Sequence, residues 1–134
     1  MAEVTKAAAG PSLGTKNPPA ANRLSGDLYA GEILYPGDSC YIKSDGSVWR
    51  SNGTAANAAA KGRGIVNQKY QVGEAVTLFR NVNFGYSDGL LTPGQDLYVS
   101  ATNPGGLSTT ATTGGTTPVA FAVDEYRIHY HGTH

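Results

Sequence analysis

The feature that most constrains this chain is a unit written twice. PGDSCYIKSDGSVW, Pro36 to Trp49, sets a Pro-Gly turn ahead of a short apolar strand, an Asp-Gly corner and a second strand. PGQDLYVSATNPGGLSTT, from Pro93, repeats the pattern with a wider corner. Pro36-Gly37, Tyr41 and Ile42 find counterparts in Pro93-Gly94, Tyr98 and Val99 at a constant spacing. Proline presets the backbone for a turn, glycine permits positive φ, and the aromatic-aliphatic pair anchors the strand in a core. A duplicated hairpin builds a small barrel or sandwich. Neither copy contains a reactive group.

At 134 residues the chain suffices for one domain. A β domain of roughly 100 residues buries about two-thirds of its unfolded surface, so neither disulfide nor metal is required for a core. Ten basic residues balance ten acidic ones, which argues against direct nucleic-acid binding. The single Cys40 excludes an intramolecular disulfide and reads as a small core residue. MAEVTKAAAG has no apolar run of signal-peptide length, and no segment approaches the roughly 20 apolar residues of a membrane span. Synthesis and folding in a cytoplasm are expected, with no membrane partner.

Residues 1–25 differ from the rest. They show no sustained period, contain Pro11, Pro18 and Pro19, and carry Lys6, Lys16 and Arg23 against Glu3. Such a segment cannot bury enough apolar surface to fold alone and reads as an extended N-terminal arm. From Gly26 onward turn signals recur every eight to twelve residues, which predicts an all-β domain, residues 26–134, of eight to ten short strands. Ser51 to Gly64 reads as a loop or a short alanine-rich helical turn, and PVAFAVDEYRIHYH as two strands meeting near Asp124-Glu125.

The first hairpin can be read residue by residue. A two-residue Asp45-Gly46 loop sets Ile42 opposite Trp49 and Tyr41 opposite Arg50. Cys40, Ile42 and Trp49 then share the core face. Tyr41 and Arg50 share the other face, a candidate interface where a guanidinium can stack on a phenol. Tyr98 and Val99 are the anchors expected of the second copy.

Reactive chemistry finds little support. His129, His131 and His134 crowd the tail, and a His-x-His pair on a strand projects both imidazoles to one side. No Cys or carboxylate run completes a metal site, so no metal or cofactor is expected. There is no nucleophile elbow. Asp45, Asp88, Asp96 and Glu74 adjoin glycine turns, as backbone-bonding carboxylates do. Gly62-Arg63-Gly64 leads into Ile65-Val66 rather than a helix, and so is not a phosphate loop. Tyr29, Tyr35, Trp49, Tyr86 and Tyr98 are the residues from which an aromatic ligand platform would be drawn.

The order Gly31-Glu32-Ile33-Leu34, Pro36 to Val48, Gly64 to Val66, Gly73 to Leu78 and Leu91 to Thr110 resembles the small capsid decoration (cement) proteins of tailed bacteriophages. The resemblance spans roughly Gly26 to Tyr130. It implies a non-enzymatic compact β domain, often trimeric, on the outer surface of the expanded head. There it bridges neighbouring major capsid subunits against the pressure of packed DNA. Clamping of this kind is multivalent, because tethered weak contacts sum to firm attachment. In this scheme the arm, with Lys6, Leu13, Lys16 and Arg23 as candidate contacts, lies over the shell or a neighbouring protomer. Its deletion is expected to weaken attachment and leave the β domain folded. The rival expectation is a glycan- or receptor-binding module of a phage fibre or tail.

Overall fold

The structure is a computed structural model that describes residues 3–8, 10–14, 23–24 and 26–133. It is all-β, with a single turn of 3-10 helix at Ala58–Ala60 capped by the Asn57 side chain. Twelve strands are present among the described residues, ten of them within residues 26–134, as expected, and two in the arm. In chain order they are β1 (Ser12–Leu13), β2 (Arg23–Leu24), β3 (Tyr29–Ala30), β4 (Ser39–Ile42), β5 (Ser47–Arg50) and β6 (Gly64–Ile65). Then come β7 (Leu78–Phe79), β8 (Val82–Gly85), β9 (Asp96–Val99), β10 (Leu107–Ser108), β11 (Ala120–Ala122) and β12 (Arg127–Tyr130).

The strands form two six-stranded curled sheets, ordered β2-β7-β6-β4-β5-β3 and β1-β8-β12-β11-β9-β10. Strand for strand, β2-β7-β6-β4-β5 matches β8-β12-β11-β9-β10. The chain visits the two sets in the same order, and every neighbour is antiparallel. The written repeat is therefore a repeat of topology. Its two Pro-Gly corners are the same object. Asp38 N–H donates to Tyr35 O at 3.0 Å and Gln95 N–H to Thr92 O at 3.1 Å. Gly37 and Gly94 have φ of 84° and 83°, as the third position of a type II turn requires. Each corner then seats on the third strand of its unit. Gly37 N–H donates to Val66 O, and Gly94 N–H to Ala122 O.

Both sheets curl so that one continuous segment pairs at one edge and supplies a strand at, or next to, the other. In the first, β3 exchanges backbone bonds with residues 73–76, which run on into β7. In the second, Glu3 bridges Ser108 of β10, and the same segment continues to β1 on β8 at the opposite edge. Each sheet encloses its own apolar cluster. The first holds Leu34, Cys40, Val48, Val66, Val76 and Leu78; the second holds Phe84, Leu97, Val99, Leu107, Ile128 and Tyr130. Ile65 and Phe79 belong to the second cluster although they sit on strands of the first sheet. They project from the far side of that sheet and seat it on its neighbour. Polar bonds complete the seam. Ser39 Oγ lies 2.6 Å from Tyr130 Oη, and the Gly105 corner bonds Ser39 N and Ser51 O.

The first hairpin differs from its expected register by one residue. Its loop has three residues, Ser44-Asp45-Gly46, closed by Lys43 and Ser47, with Gly46 at φ 88°. A three-residue loop ending in a left-handed glycine is the next commonest hairpin after the two-residue turn. The Asp45 carboxylate selects it by accepting from both N–H and O–H of Ser47. Those bonds hold the Asp45 carboxyl below its ordinary pKa, the Ser47 hydroxyl contributing most. A shift of one residue exchanges faces. Tyr41 lies opposite Trp49, Ile42 opposite Val48 and Cys40 opposite Arg50. Val48 takes the core position given to Trp49, which is half-buried against Gly31 with Lys43 Nζ 3.8 Å from its ring. Ile42, expected in the core, is exposed at the sheet margin. Of the second copy's anchors Val99 is buried, and Tyr98 is half-buried on the opposite face.

Candidate interaction surface

The residues singled out in the arm are engaged within the chain. Lys6 Nζ lies 2.6 Å from Asp38 Oδ1, whose side chain is 3% exposed. Asp38 Oδ2 accepts from Tyr35 N–H, so this carboxylate ties the first Pro-Gly corner to the arm. Glu3 accepts from Ser100 Oγ and Asn103 Nδ2, Val4 N–H donates to Leu107 O, and Ala7 N–H donates to Tyr86 O. Pro11 is buried against Gly37, and Leu13 packs on the second core. The described part of the arm is therefore a strap across its own β domain, in which Lys6 and Leu13 both have partners within the chain. Composition implied an extended segment. It does not reveal that the second sheet lacks an edge strand until the arm supplies one. Arg23 is exposed on β2, paired with Phe79, and Lys16 and His134 lie outside the described residues.

Tyr41 and Arg50 do not form a joint face. Arg50 Nη2 pairs with Glu32 Oε1 at 3.1 Å, while its backbone N–H donates to Glu32 Oε2 at 2.9 Å. Burial, followed by the Glu32 charge, pushes the Tyr41 phenol up. Glu32 is the partner that spacing concealed, since it reaches Arg50 only after the strand register moves. Cys40 is fully buried, and burial first, then Asp38, raises its thiol well above the ordinary value. Such a thiol is not a nucleophile.

The proposed aromatic platform is dispersed. Tyr86 is fully buried, and Tyr29 and Tyr35 are exposed, the latter with Lys69 Nζ 5.5 Å from its ring. His129 and His131 do share a face, as the His-x-His spacing predicts. Both imidazoles meet the Phe121 ring, with centroids 5.3 and 6.3 Å away. The Nδ1 of His129 lies 2.8 Å from Asn83 Oδ1. Burial, and secondarily the adjacent His131, lowers the His129 pKa. No group of three His, Cys, Asp or Glu side chains able to hold a metal occurs among the described residues.

What remains is surface. Exposed large apolar side chains are distributed over both units: Tyr29, Tyr35, Ile42 and Val72 on the first, Leu90, Phe121, Val123 and Tyr126 on the second. A groove of about 850 Å³ runs between residues 3–6 of the arm and the 102–106 corner, with Tyr86 at its base. No described helix is long and apolar enough to cross a membrane. Compared with known protein families, curated proteins and solved structures, the chain matches none.

Proposed function

We propose that this chain is a capsid decoration protein of a tailed bacteriophage, added to the outer surface of the expanded head. It bridges neighbouring major capsid subunits and stabilises the shell against internal DNA pressure. The observation that carries the reading is the pairing of two like β units in one chain, each with its own exposed apolar side chains. A protein that bridges needs two separated contact surfaces and no chemistry at either. The carboxylates and cations detailed above support this, because they are spent internally. Asp38 holds Lys6, and Glu32 holds Arg50. Contacts through Tyr, Val, Leu and neutral polar groups leave few ions to desolvate on docking.

In this reading the partners are the major capsid protein and further copies of the chain, with a trimer as the expected assembly, and neither nucleic acid nor cofactor takes part. The test is addition of purified protein to expanded heads that lack it. High-copy, saturating attachment and increased resistance of the heads to heat-induced rupture are expected. Absence of attachment, with saturable binding to host surface polysaccharide instead, would replace this proposal with the receptor-binding one.

A further inference from the structure

The repeat exposes a face that the first unit buries. Register places Ser39, Ile65, Phe79 and Arg23 in one row across β4, β6, β7 and β2. The matching strands β9, β11, β12 and β8 carry Asp96, Phe121, His129 and Asn83 in one row. These are equivalent positions on two copies of one topology. In the first copy Ser39 and Ile65 are fully buried and Phe79 is 6% exposed, because this row is where the sheet seats on its neighbour. In the second copy Phe121 is 39% exposed, flanked by exposed Asp96 and Asn83. The second corner is uncovered as well. Gly37 lies beneath Pro11, whereas a side chain at Gly94 would meet nothing within 4 Å.

We infer that the Asp96–Phe121–His129–Asn83 row is a docking face for a second copy of this chain. The occupant follows from equivalence with the interface inside the molecule, where the matching row of the first unit joins it to the second. The chemistry also suits a like partner. Phe121 and Val123, just past the end of β11, are exposed apolar side chains, and the rim carries both signs, with Asp96 opposite Phe121 and Asp124 paired with Arg127. A rim of mixed sign can complement itself across the symmetric contacts that homo-oligomers form. Ile65 and Phe79 are permanently covered and wholly apolar. Phe121 with three polar neighbours suits a face that stands in water until assembly. This deepens the self-association in the proposed function by giving it a face, and it requires no capsid.

The test is sedimentation equilibrium of the full chain, up to millimolar concentration, with Phe121→Glu, Val123→Glu and Val72→Ser compared. Thermal melts establish that each variant is folded. The wild type and Val72→Ser, altered at an exposed apolar residue of the first unit, are expected to associate alike. Either glutamate variant is expected to raise the dissociation constant at least about tenfold, as loss of a central anchor does. A photo-crosslinking residue at position 121 provides a second measurement, with covalent dimers expected. A monomeric wild type, unchanged association in both folded glutamate variants, or no dimer from the crosslinker would each overturn the inference. Because no head is present, these failures strike the face alone, and head attachment is judged separately.

Discussion

The first and second β units share a topology and differ in what completes them. The first takes its closing segment, residues 73–76, from between its own strands, and its far side is sealed by the second unit. The second borrows its closing segment from the N-terminus and leaves the equivalent far side in solvent. Sequence similarity between the copies therefore coexists with opposite dependence. The inner unit is covered by the rest of its chain, and the outer one holds on to the arm and faces outward. The two units share one strand order, and the side chains at matching places differ with their surroundings. Cys40 and Leu97 both point inward, but Ile42 is exposed where Val99 is buried.

The largest test of this contrast is removal of residues 2–14. Loss of half-buried Val4 and Leu13, buried Pro11 and the partner of Asp38 is expected to destabilise the chain by about 3–5 kcal/mol. Amide exchange should rise first in β8 and β10 and last in β4–β6. Uniform loss of protection, or unchanged stability as composition alone suggested, would break the contrast. Next is the matched pair Leu97→Ala and Cys40→Ala. Both residues are fully buried, yet the first deletes a branched side chain, about 2–5 kcal/mol, and the second roughly one methylene equivalent, about 1 kcal/mol. Urea denaturation midpoints separate them.

Lys6→Met tests the strap at a single point. It leaves Asp38 buried with only the Tyr35 N–H, and about 1–3 kcal/mol is expected, below the value for a fully enclosed pair because Lys6 is 28% exposed. Trp49→Ala should have a smaller effect, about 1–2 kcal/mol, since the ring is half-buried and packs on Gly31. A loss of roughly 3–5 kcal/mol, the usual value for a core aromatic, would return Trp49 to the interior. The smallest effect is that of pH on His129. Its folded pKa lies below the ordinary 6.5, so the unfolded chain binds the proton more readily. Stability should be constant above about pH 6.5, fall as pH drops from there to the folded pKa, and level off below it. His129→Gln should flatten that step in a melting series.

Much of the fold was legible because the signals were local. Pro-Gly at two places fixed two turns, the alanine-rich stretch after Ser51 admitted the helical turn as one of two readings, and the apolar runs either side of Asp124-Glu125 placed β11 and β12. The hairpin register was not legible, because Ser44-Asp45-Gly46 supports either loop and the deciding bonds come from the Asp45 carboxylate to Ser47. That one-residue ambiguity moved Trp49, Ile42 and the Tyr41/Arg50 pairing together. The row at Phe121 was hidden for another reason. Exposure there depends on what the rest of the chain covers, and local pattern carries no information about that.

The closing segment of the outer unit lies far upstream in sequence of both strands it joins, β8 and β10. The N-terminal strap cannot be seated along its whole length until β8 and β10 have both formed, so the outer unit is closed by a pairing made late. Until then the edge of β10 is open, and a nascent neighbour's strap could occupy it in place of the chain's own.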